Sequence, residues 1–187
     1  MTRVSFSGKE VSLSYIWQWY KETEKAINHY KIKVIDSLTS NTRMPDLFLS
    51  MTKDEIIEHF TGQQEELEKL VSLNLVVSAK ASLRVDYLTR VYNKKKGSVS
   101  RNFRDLYQKN GPEARLSEDI LEIWVNSHSA CQSAVGDFRG LLRLRHWLAH
   151  GRYWTPKLGR NYTPERVFDI SKNLFDALPA DFSGAIS

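Results

Sequence analysis

The long apolar pattern in the middle of the chain constrains the fold most, because it has the period of an α-helix. From residue 63 to about residue 96, apolar side chains recur at intervals of three and four. Its members are Leu67, Leu70, Val71, Leu73, Leu75, Val76, Val77, Ala79, Leu83, Leu88, Val91 and Tyr92. The segment 73–78, taken alone, also fits a buried strand. The charged segment 65–69 leads directly into it, however, and favours a helix throughout. The sequence therefore predicts an all-α fold.

Hydroxyl side chains indicate where the helices begin. Thr52 and Glu55 have the spacing of a capping box, and the helix that they open is expected to end or bend near Thr61 and Gly62. Ser12 or Ser14 is expected to start a helix that runs to about residue 38, and Ser98 or Ser100 a short basic helix to about residue 107. Ser117 precedes a predicted helix with an acidic first turn. Thr163, followed by Pro164, is expected to start the last helix, which runs to about residue 178.

Length and composition fit one folded domain. The chain has 187 residues, enough to bury a core, and 41% of them are hydrophobic. We expect a single helical domain over residues 1–187, with frayed ends at about 1–11 and 179–187. No apolar run has the length of a transmembrane helix, and the first residues lack the apolar core of a signal peptide. Together with a single cysteine, Cys131, these features predict a cytoplasmic protein that does not bind membranes.

Positive charge is concentrated in parts of the chain. The net charge is +5, and residues 138–164 contain arginine and lysine but no aspartate or glutamate. Residues 94–115 are also mainly basic, whereas residues 54–68 are acidic. Such separation indicates a surface that binds a polyanion. The triplet 94–96, taken singly, is better explained as a solvated helix end, where cations are favourable.

Residues 143–154 concentrate the polar chemistry of the chain. They include two histidines, three arginines and three aromatic residues. Apolar spacing predicts a helix over about 129–149, with Gly151 as its C-terminal cap. On that helix one stripe is entirely cationic or titratable, and it consists of Arg139, Arg143, His146 and His150. Arg145 lies on the side that faces the bundle or an interface, where it needs a carboxylate, carbonyl or phosphate partner.

Residues 145–151 resemble the R-x(4–6)-H motif of the HEPN superfamily, whose usual form has Asn, Asp or His directly after the arginine. His146 occupies that second position, and Ala149-His150-Gly151 matches the small-His-Gly ending common in the superfamily. The resemblance implies a HEPN-like all-α bundle, here with additional helices, that forms a homodimer in which two motifs face each other. It also implies a metal-independent endoribonuclease, although some members keep the fold without chemistry.

The residue types fit RNA cleavage without a metal or other cofactor. The reaction needs a base for the 2′-hydroxyl proton, an acid for the leaving oxygen and a cation for the developing negative charge. We assign His150 as general base or acid and Arg145 as phosphate clamp, with His146 sharing the proton transfer or holding substrate. The expected product has a 2′,3′-cyclic phosphate end.

Basic and aromatic residues alternate after the motif, in residues 152–162. Single-stranded RNA is bound by cations on phosphates and rings on bases, and the residues predicted to bind RNA are Arg139, Arg143, Arg152, Tyr153, Trp154 and Lys157. Equally, Tyr153 and Trp154 can pin this loop onto the bundle.

Trp17 and Trp19 of the first predicted helix cannot share one helix face. Either one of them meets a partner, or both lie at the rim of the core.

Asp86 and Arg90 are polar residues in the otherwise apolar central helix. At i, i+4 they can pair with each other, which is the usual outcome. The alternative is that Asp86 supports the site by orienting Arg145 or His150.

His146 and His150 also have the spacing of a zinc-binding helix, but no third ligand stands near in sequence, so we predict no metal site.

Two functions follow from these features. The first is a metal-independent endoribonuclease of HEPN type, which by the resemblance would act in phage defence or a toxin–antitoxin pair. The second is a non-catalytic HEPN-like module that binds RNA or a partner protein. For a HEPN toxin, the resemblance implies an antitoxin of the nucleotidyltransferase type or another defence-system protein as that partner. A structural salt bridge on Arg145 and burial of His150 would favour the second function.

Overall fold

A computed structural model describes residues 3–40 and 42–183, and these residues contain helices but no β-strand. The prediction of an all-α fold is therefore confirmed. The α-helices are α1 (Leu13–Ser37), α2 (Lys53–Tyr92), α3 (Ser98–Asn110), α4 (Leu121–Ser127), α5 (Gln132–Ala149) and α6 (Pro164–Ala177). Short 3₁₀ turns lie at Asp46–Phe48, Gly111–Glu113 and Ser129–Cys131, and a π-helical turn lies at Leu116–Ile120.

Helix α2 is the axis of the fold, since it packs against α1, α3, α5 and α6. It is continuous over 40 residues. The expected end near Thr61 and Gly62 is therefore wrong, as is a strand at 73–78. A glycine inside a helix costs only about 1 kcal/mol, and burial of Ile56 and Phe60 on one side of Gly62 and of Leu67 on the other holds both halves helical.

Two groups of buried side chains stabilise α2 against its neighbours. The larger core extends from Leu67 to Leu88 on this helix and includes the fully buried Trp124 and Phe138 of α4 and α5. A smaller core surrounds the first part of α2 and consists of Val34, Phe48, Ile56 and Phe60. Of the apolar residues from which this helix was predicted, Leu67, Val71, Leu75, Val76, Ala79, Leu83 and Leu88 are buried, whereas Leu70 and Val77 are exposed.

The predicted caps agree with the structure at three helices. Ser12 accepts a hydrogen bond from the Tyr15 N–H at 3.2 Å, and Thr163 caps α6 in the same way. Thr52 and Glu55 form the complete capping box. The expected caps of α3 are wrong, because Gly97, at φ 114°, precedes this helix and no side chain caps it. A φ in that range favours glycine over serine, so the chain turns there without a hydroxyl cap.

Hydrogen bonds join both terminal segments to the bundle. Residues 3–11 form no regular element, but the Val4 N–H donates to the Tyr92 hydroxyl at 2.9 Å. Residues 179–183 are bound to the bundle through Asp181 and Ser183. Residues 179–183 are thus hydrogen-bonded to the bundle, whereas residues 1–2 and 184–187 lie outside the described part of the chain, and fraying of the two ends stays a prediction. Within that part, no helix combines the length and apolarity needed to cross a bilayer.

Candidate functional site

Helix α5 presents the motif at its C-terminal end. Its inner face is fixed by the buried side chains of Val135, Phe138, Leu141 and Leu144. The helix ends at Ala149, as predicted, and the backbone N–H of Arg152 turns back to the Trp147 carbonyl at 3.3 Å. Gly151 and Arg152 have φ values of 81° and 59° at this reversal. The last helical turn and the start of the loop are thereby held as one unit.

The two histidines of the motif are neighbours on the surface. The His146 and His150 side chains are exposed, and their ring centroids lie 4.3 Å apart. The Trp154 ring is 5.8 Å from that of His146. Among residues 3–40 and 42–183, no group of three His, Cys, Asp or Glu side chains has a metal-binding arrangement. Both imidazole rings of the pair are therefore accessible to solvent.

A surface cleft of about 370 Å³ lies beside His146, between α5, the loop that follows it and the π-helical turn. It gathers five of the predicted site residues, namely Arg139, Arg143, His146, Trp154 and Lys157. The cleft is mainly basic, although Glu118 also lines it. Arg145, His150, Arg152 and Tyr153 do not line it. The structure thus separates these four residues from the five that line the cleft.

Arg139 is only partly available for a ligand. Its guanidinium forms an ion pair with Glu122 and donates to the Ser117 carbonyl at 3.0 Å. By contrast, Arg143 and Lys157 are exposed, and neither forms an ion pair with another described residue. The free cationic groups of the cleft are therefore Arg143 and Lys157, with Arg139 fixed in its wall.

The loop after α5 is attached to the bundle at three points. The Trp147 indole donates to the Trp154 carbonyl at 2.8 Å, and Arg160 pairs with Asp137 at 2.8 Å. Arg152 pairs with Glu66 of α2 at 2.7 Å. The hydrogen bond from Arg152, followed by that from Lys69, lowers the pKa of the Glu66 carboxyl to about 2. Sequence reasoning missed Glu66 because 86 positions separate it from Arg152.

Tyr153 and Trp154 have different surroundings: the attachment of the loop to the bundle is confirmed at Trp154, whereas base stacking by Tyr153 stays a prediction. Trp154 is half-buried. Its ring lies near that of His146, and its backbone carbonyl accepts the hydrogen bond from the Trp147 indole. Tyr153 is 85% exposed and touches the Trp154 ring edge-on at 4.7 Å. Tyr153 can therefore stack on a base, whereas Trp154 both anchors the loop and lines the cleft.

Gly140 on α5 makes room for Tyr162 at the end of the loop. A Cβ atom at position 140 would clash with the Tyr162 hydroxyl, whereas the nearest ring carbon lies at an ordinary 3.5 Å. We therefore expect Gly140→Ala to lower the free energy of unfolding, because the hydroxyl must move. In a Tyr162→Phe background the same change should instead stabilise by up to about 1 kcal/mol, since alanine favours helix over glycine.

Urea denaturation of the four chains of this double-mutant cycle measures the effect. The sign of the Gly140→Ala change must reverse between the two backgrounds. If Gly140→Ala stabilises the protein even with Tyr162 present, the tyrosine hydroxyl does not occupy the space above Gly140.

Arg145 is half-buried, and it differs from the other arginines of the motif region. Its Nε atom is buried and has no hydrogen-bond partner. The ion pairs of the described residues involve other cations. On α2, Lys80 lies within reach of its charge: burial lowers the pKa of Lys80, and the positive charges of Arg145 and Arg84 lower it further. Arg145 thus has the inward position that was predicted, but no partner for its charge in the part of the chain that the structure describes.

Asp86 does not reach the motif. Its Oδ2 accepts from Arg90 Nε at 2.7 Å, and its Oδ1 accepts from the backbone N–H and the hydroxyl of Ser183 at 3.0 and 2.9 Å. The expected pairing of Asp86 with Arg90 is confirmed. The alternative, in which Asp86 orients Arg145 or His150, is wrong, because among the described residues Asp86 bonds to Arg90 and Ser183 and to neither residue of the motif.

Tryptophans 17 and 19 are likewise separated. Trp17 is half-buried and stacks on Phe168 at 4.8 Å. Trp19 is 42% exposed and lines an apolar surface groove.

Comparison of the chain with protein-family models, with curated proteins and with solved structures found no match.

Proposed function

We propose that the protein is a metal-independent endoribonuclease of HEPN type. One observation carries the proposal: the exposed pair His146 and His150 lies within two helical turns of Arg145, a half-buried arginine whose Nε has no partner. Arg145 forms no structural salt bridge within the described residues, and His150 is not buried. Both conditions that would favour a non-catalytic module are therefore unmet.

The roles follow from the chemistry of the side chains. A histidine can take the 2′-hydroxyl proton and a second can give a proton to the leaving 5′-oxygen, because imidazole changes charge near neutral pH. A phosphorane-like transition state carries additional negative charge on its non-bridging oxygens, and a guanidinium binds two of them at once. We assign the proton transfers to His150 and His146 and the charge stabilisation to Arg145.

The basic cleft supports RNA as the substrate. Arg143 and Lys157 offer free cations for phosphate groups, and the exposed Tyr153 ring offers a surface for a base. Single-stranded RNA has both groups accessible at every nucleotide, whereas the bases of a duplex are stacked inside. We therefore propose that an unpaired RNA segment crosses the end of α5 beside the histidines.

We further propose that two copies of the chain assemble into the active form. Successive residues of a helix are rotated by about 100°, so that Arg145 and His150 project from different sides of α5. A second copy, with its own Arg145 placed opposite, would complete the set around one phosphate. A role in phage defence or in a toxin–antitoxin pair, with an antitoxin or another defence-system protein as partner, extends this proposal.

One observation favours the second candidate function, a non-catalytic module that binds a partner protein. An apolar groove of about 620 Å³ lies between α1, α2 and residues 7–11. Tyr15, Trp19 and Val77 line it and are 67%, 42% and 42% exposed. Exposed apolar patches of this kind are typical of protein-binding surfaces. The groove is separate from the histidines, so a partner bound there leaves the proposed active site open.

The experiment that tests the proposed function uses the 2′-hydroxyl. A cut site is first mapped on a single-stranded RNA oligonucleotide in EDTA, and a second oligonucleotide then carries one 2′-deoxynucleotide on the 5′ side of that site. We expect cleavage of the first at the mapped bond, with a 2′,3′-cyclic phosphate on the 5′ fragment, and no cleavage of the second at that bond. Cleavage of the substituted bond, or a 3′-hydroxyl end, would show a different mechanism.

A further inference from the structure

A second group of cations lies beside the motif, on α2. Lys80 and Arg84 are one helical turn apart, and both are half-buried. Helices α2 and α5 pack against each other, and this contact brings Arg145 of α5 close enough for its charge to act on Lys80. Lys80 therefore lies near two other positive side chains, Arg84 of its own helix and Arg145 of α5, and all three are half-buried.

No carboxylate balances these three charges among residues 3–40 and 42–183, whose ion pairs all involve other cations. A hydrogen bond from Arg84 Nη1 to the Pro112 carbonyl, at 3.1 Å, fixes one member of the group. It aligns the guanidinium without neutralising it. Like charges that are partly desolvated repel each other and lose part of their hydration energy. Both effects lower the free energy of unfolding of the protein without a ligand.

An anion would remove both costs. It would neutralise the repulsion and supply an acceptor to the buried Nε of Arg145, which has none. Arginine binds phosphate as a planar fork and lysine as a point charge, and the two types occur together where phosphate groups are bound. The half-buried position gives such contacts more strength than fully exposed lysines would have.

We propose that Lys80, Arg84 and Arg145 form a subsite for the phosphate backbone of a single-stranded RNA. The inference rests on the proposed function, and it extends the RNA path from the basic cleft across α5 to α2. Lys80 and Arg84 position the strand, because phosphate contacts fix its register without reading its sequence. Neither residue takes part in proton transfer.

The test measures binding without cleavage. The probe is a single-stranded oligonucleotide with 2′-O-methyl groups throughout, and its Kd is determined as a function of salt concentration. We expect Lys80→Gln to weaken binding roughly fivefold at low salt and to reduce the slope of log Kd against log salt by about 0.7, the loss of one phosphate contact on a single strand. Lys80→Arg should retain the wild-type slope. Lys53→Gln, at the exposed start of the same helix, is the matched control and should leave the slope unchanged.

A second readout separates a binding role from a structural one. Because Lys80 is repelled in the free protein, we expect Lys80→Gln to raise the melting temperature by about 2 °C or more relative to the Lys53→Gln control. A lysine that only supports the fold would give a lower melting temperature with an unchanged salt slope, and that result overturns the subsite.

The remaining outcomes keep this inference distinct from the proposed function. If unmodified RNA is not cleaved but Lys80→Gln still reduces the slope, the subsite stands and the nuclease does not. If RNA is cleaved and the slope of Lys80→Gln equals that of wild type, the subsite is wrong. A third outcome would also overturn the subsite: Lys80→Gln has the wild-type salt slope but self-associates more weakly than wild type in analytical ultracentrifugation. The three cations would then bind a carboxylate of a second copy of the chain.

Discussion

Replacing Arg90 by alanine is expected to lower the free energy of unfolding by about 3–5 kcal/mol, because removing one partner of a buried ion pair leaves the other charge unpaired. The Arg90 side chain is 2% exposed. Its Nε donates to Asp86 at 2.7 Å, its Nη1 donates to the Asp181 carboxylate at 2.8 Å, and its Nη2 donates to the Asp181 carbonyl at 2.9 Å. The guanidinium also lies over the Trp124 ring, 4.9 Å from its centroid.

The loss extends beyond one hydrogen bond, since the same network holds residues 179–183. Without Arg90, the fully buried Asp86 keeps only Ser183 as a donor, and Asp181 loses its partner. Small domains have a total stability of about 5–15 kcal/mol. The variant should therefore lie close to the limit of folding at 37 °C.

Urea denaturation followed by far-UV circular dichroism measures this change. Arg166→Ala, which removes an exposed arginine from α6, is the control and should change stability by less than about 0.5 kcal/mol. Asp181→Ala should be intermediate, because that carboxylate is 62% exposed. The double change Arg90→Met with Asp86→Leu should recover part of the loss, since it leaves no unpaired buried charge. A loss below about 1 kcal/mol for Arg90→Ala would contradict this account of the network.

The hydrogen bond from Arg90 lowers the pKa of the Asp181 carboxyl below its ordinary value. A lowered pKa means that the ionised form is favoured in the folded state. The contribution of this contact is therefore complete above the ordinary carboxyl pKa and is lost as the pH falls through the lower, folded-state value.

His150→Ala and Arg145→Ala are each expected to reduce the single-turnover rate of RNA cleavage by about 10²–10⁴-fold. A positioned general base or acid contributes that range, and removing one preorganised group that stabilises transition-state charge costs a comparable factor. His150 is exposed and Arg145 is half-buried without a structural bond, so we expect both variants to fold. Arg145→Lys should remain strongly impaired, because lysine lacks the planar fork.

Two variants control for the loss of a histidine or an arginine as such. His29→Ala and Arg43→Ala change exposed residues that line a separate pocket, beside the smaller core, and both should cleave at the wild-type rate. His146→Ala should cause a smaller reduction than His150→Ala if its main role is to hold substrate, and an equal one if it shares the proton transfer. Unchanged rates in both His150→Ala and Arg145→Ala would exclude the proposed roles.

The local features of the fold were predictable from the sequence because their physics is local. A hydroxyl three residues before an orphan N–H, as at Ser12, Thr52 and Thr163, specifies a helix start without any distant contact. The apolar period likewise identifies the buried face of α5. Glycine signals were less decisive: Gly151 ends α5 as expected, whereas Gly62 does not interrupt α2, because packing on either side outweighs its low helix propensity.

The candidate site was predictable only in part, because its geometry depends on contacts between distant segments. Spacing on one helix indicated that His146 and His150 would be neighbours, and they are. Spacing could not reveal that Lys80 lies beside Arg145, that Glu66 holds Arg152, or that the C-terminal segment occupies Asp86. Each of these contacts is set by how α2 packs against α5 and the chain ends, and no pattern within one segment encodes it.

The most direct test of the central claim is incubation of the wild-type chain with end-labelled total RNA in EDTA, in parallel with His150→Ala and Arg145→Ala at equal concentrations of folded protein. We expect the wild-type chain and the His29→Ala control to cut the RNA and the two motif variants to leave it intact. A wild-type chain that leaves the RNA intact while binding it in a salt-dependent manner would contradict the claim, and the protein would then be an RNA-binding or partner-binding helical module.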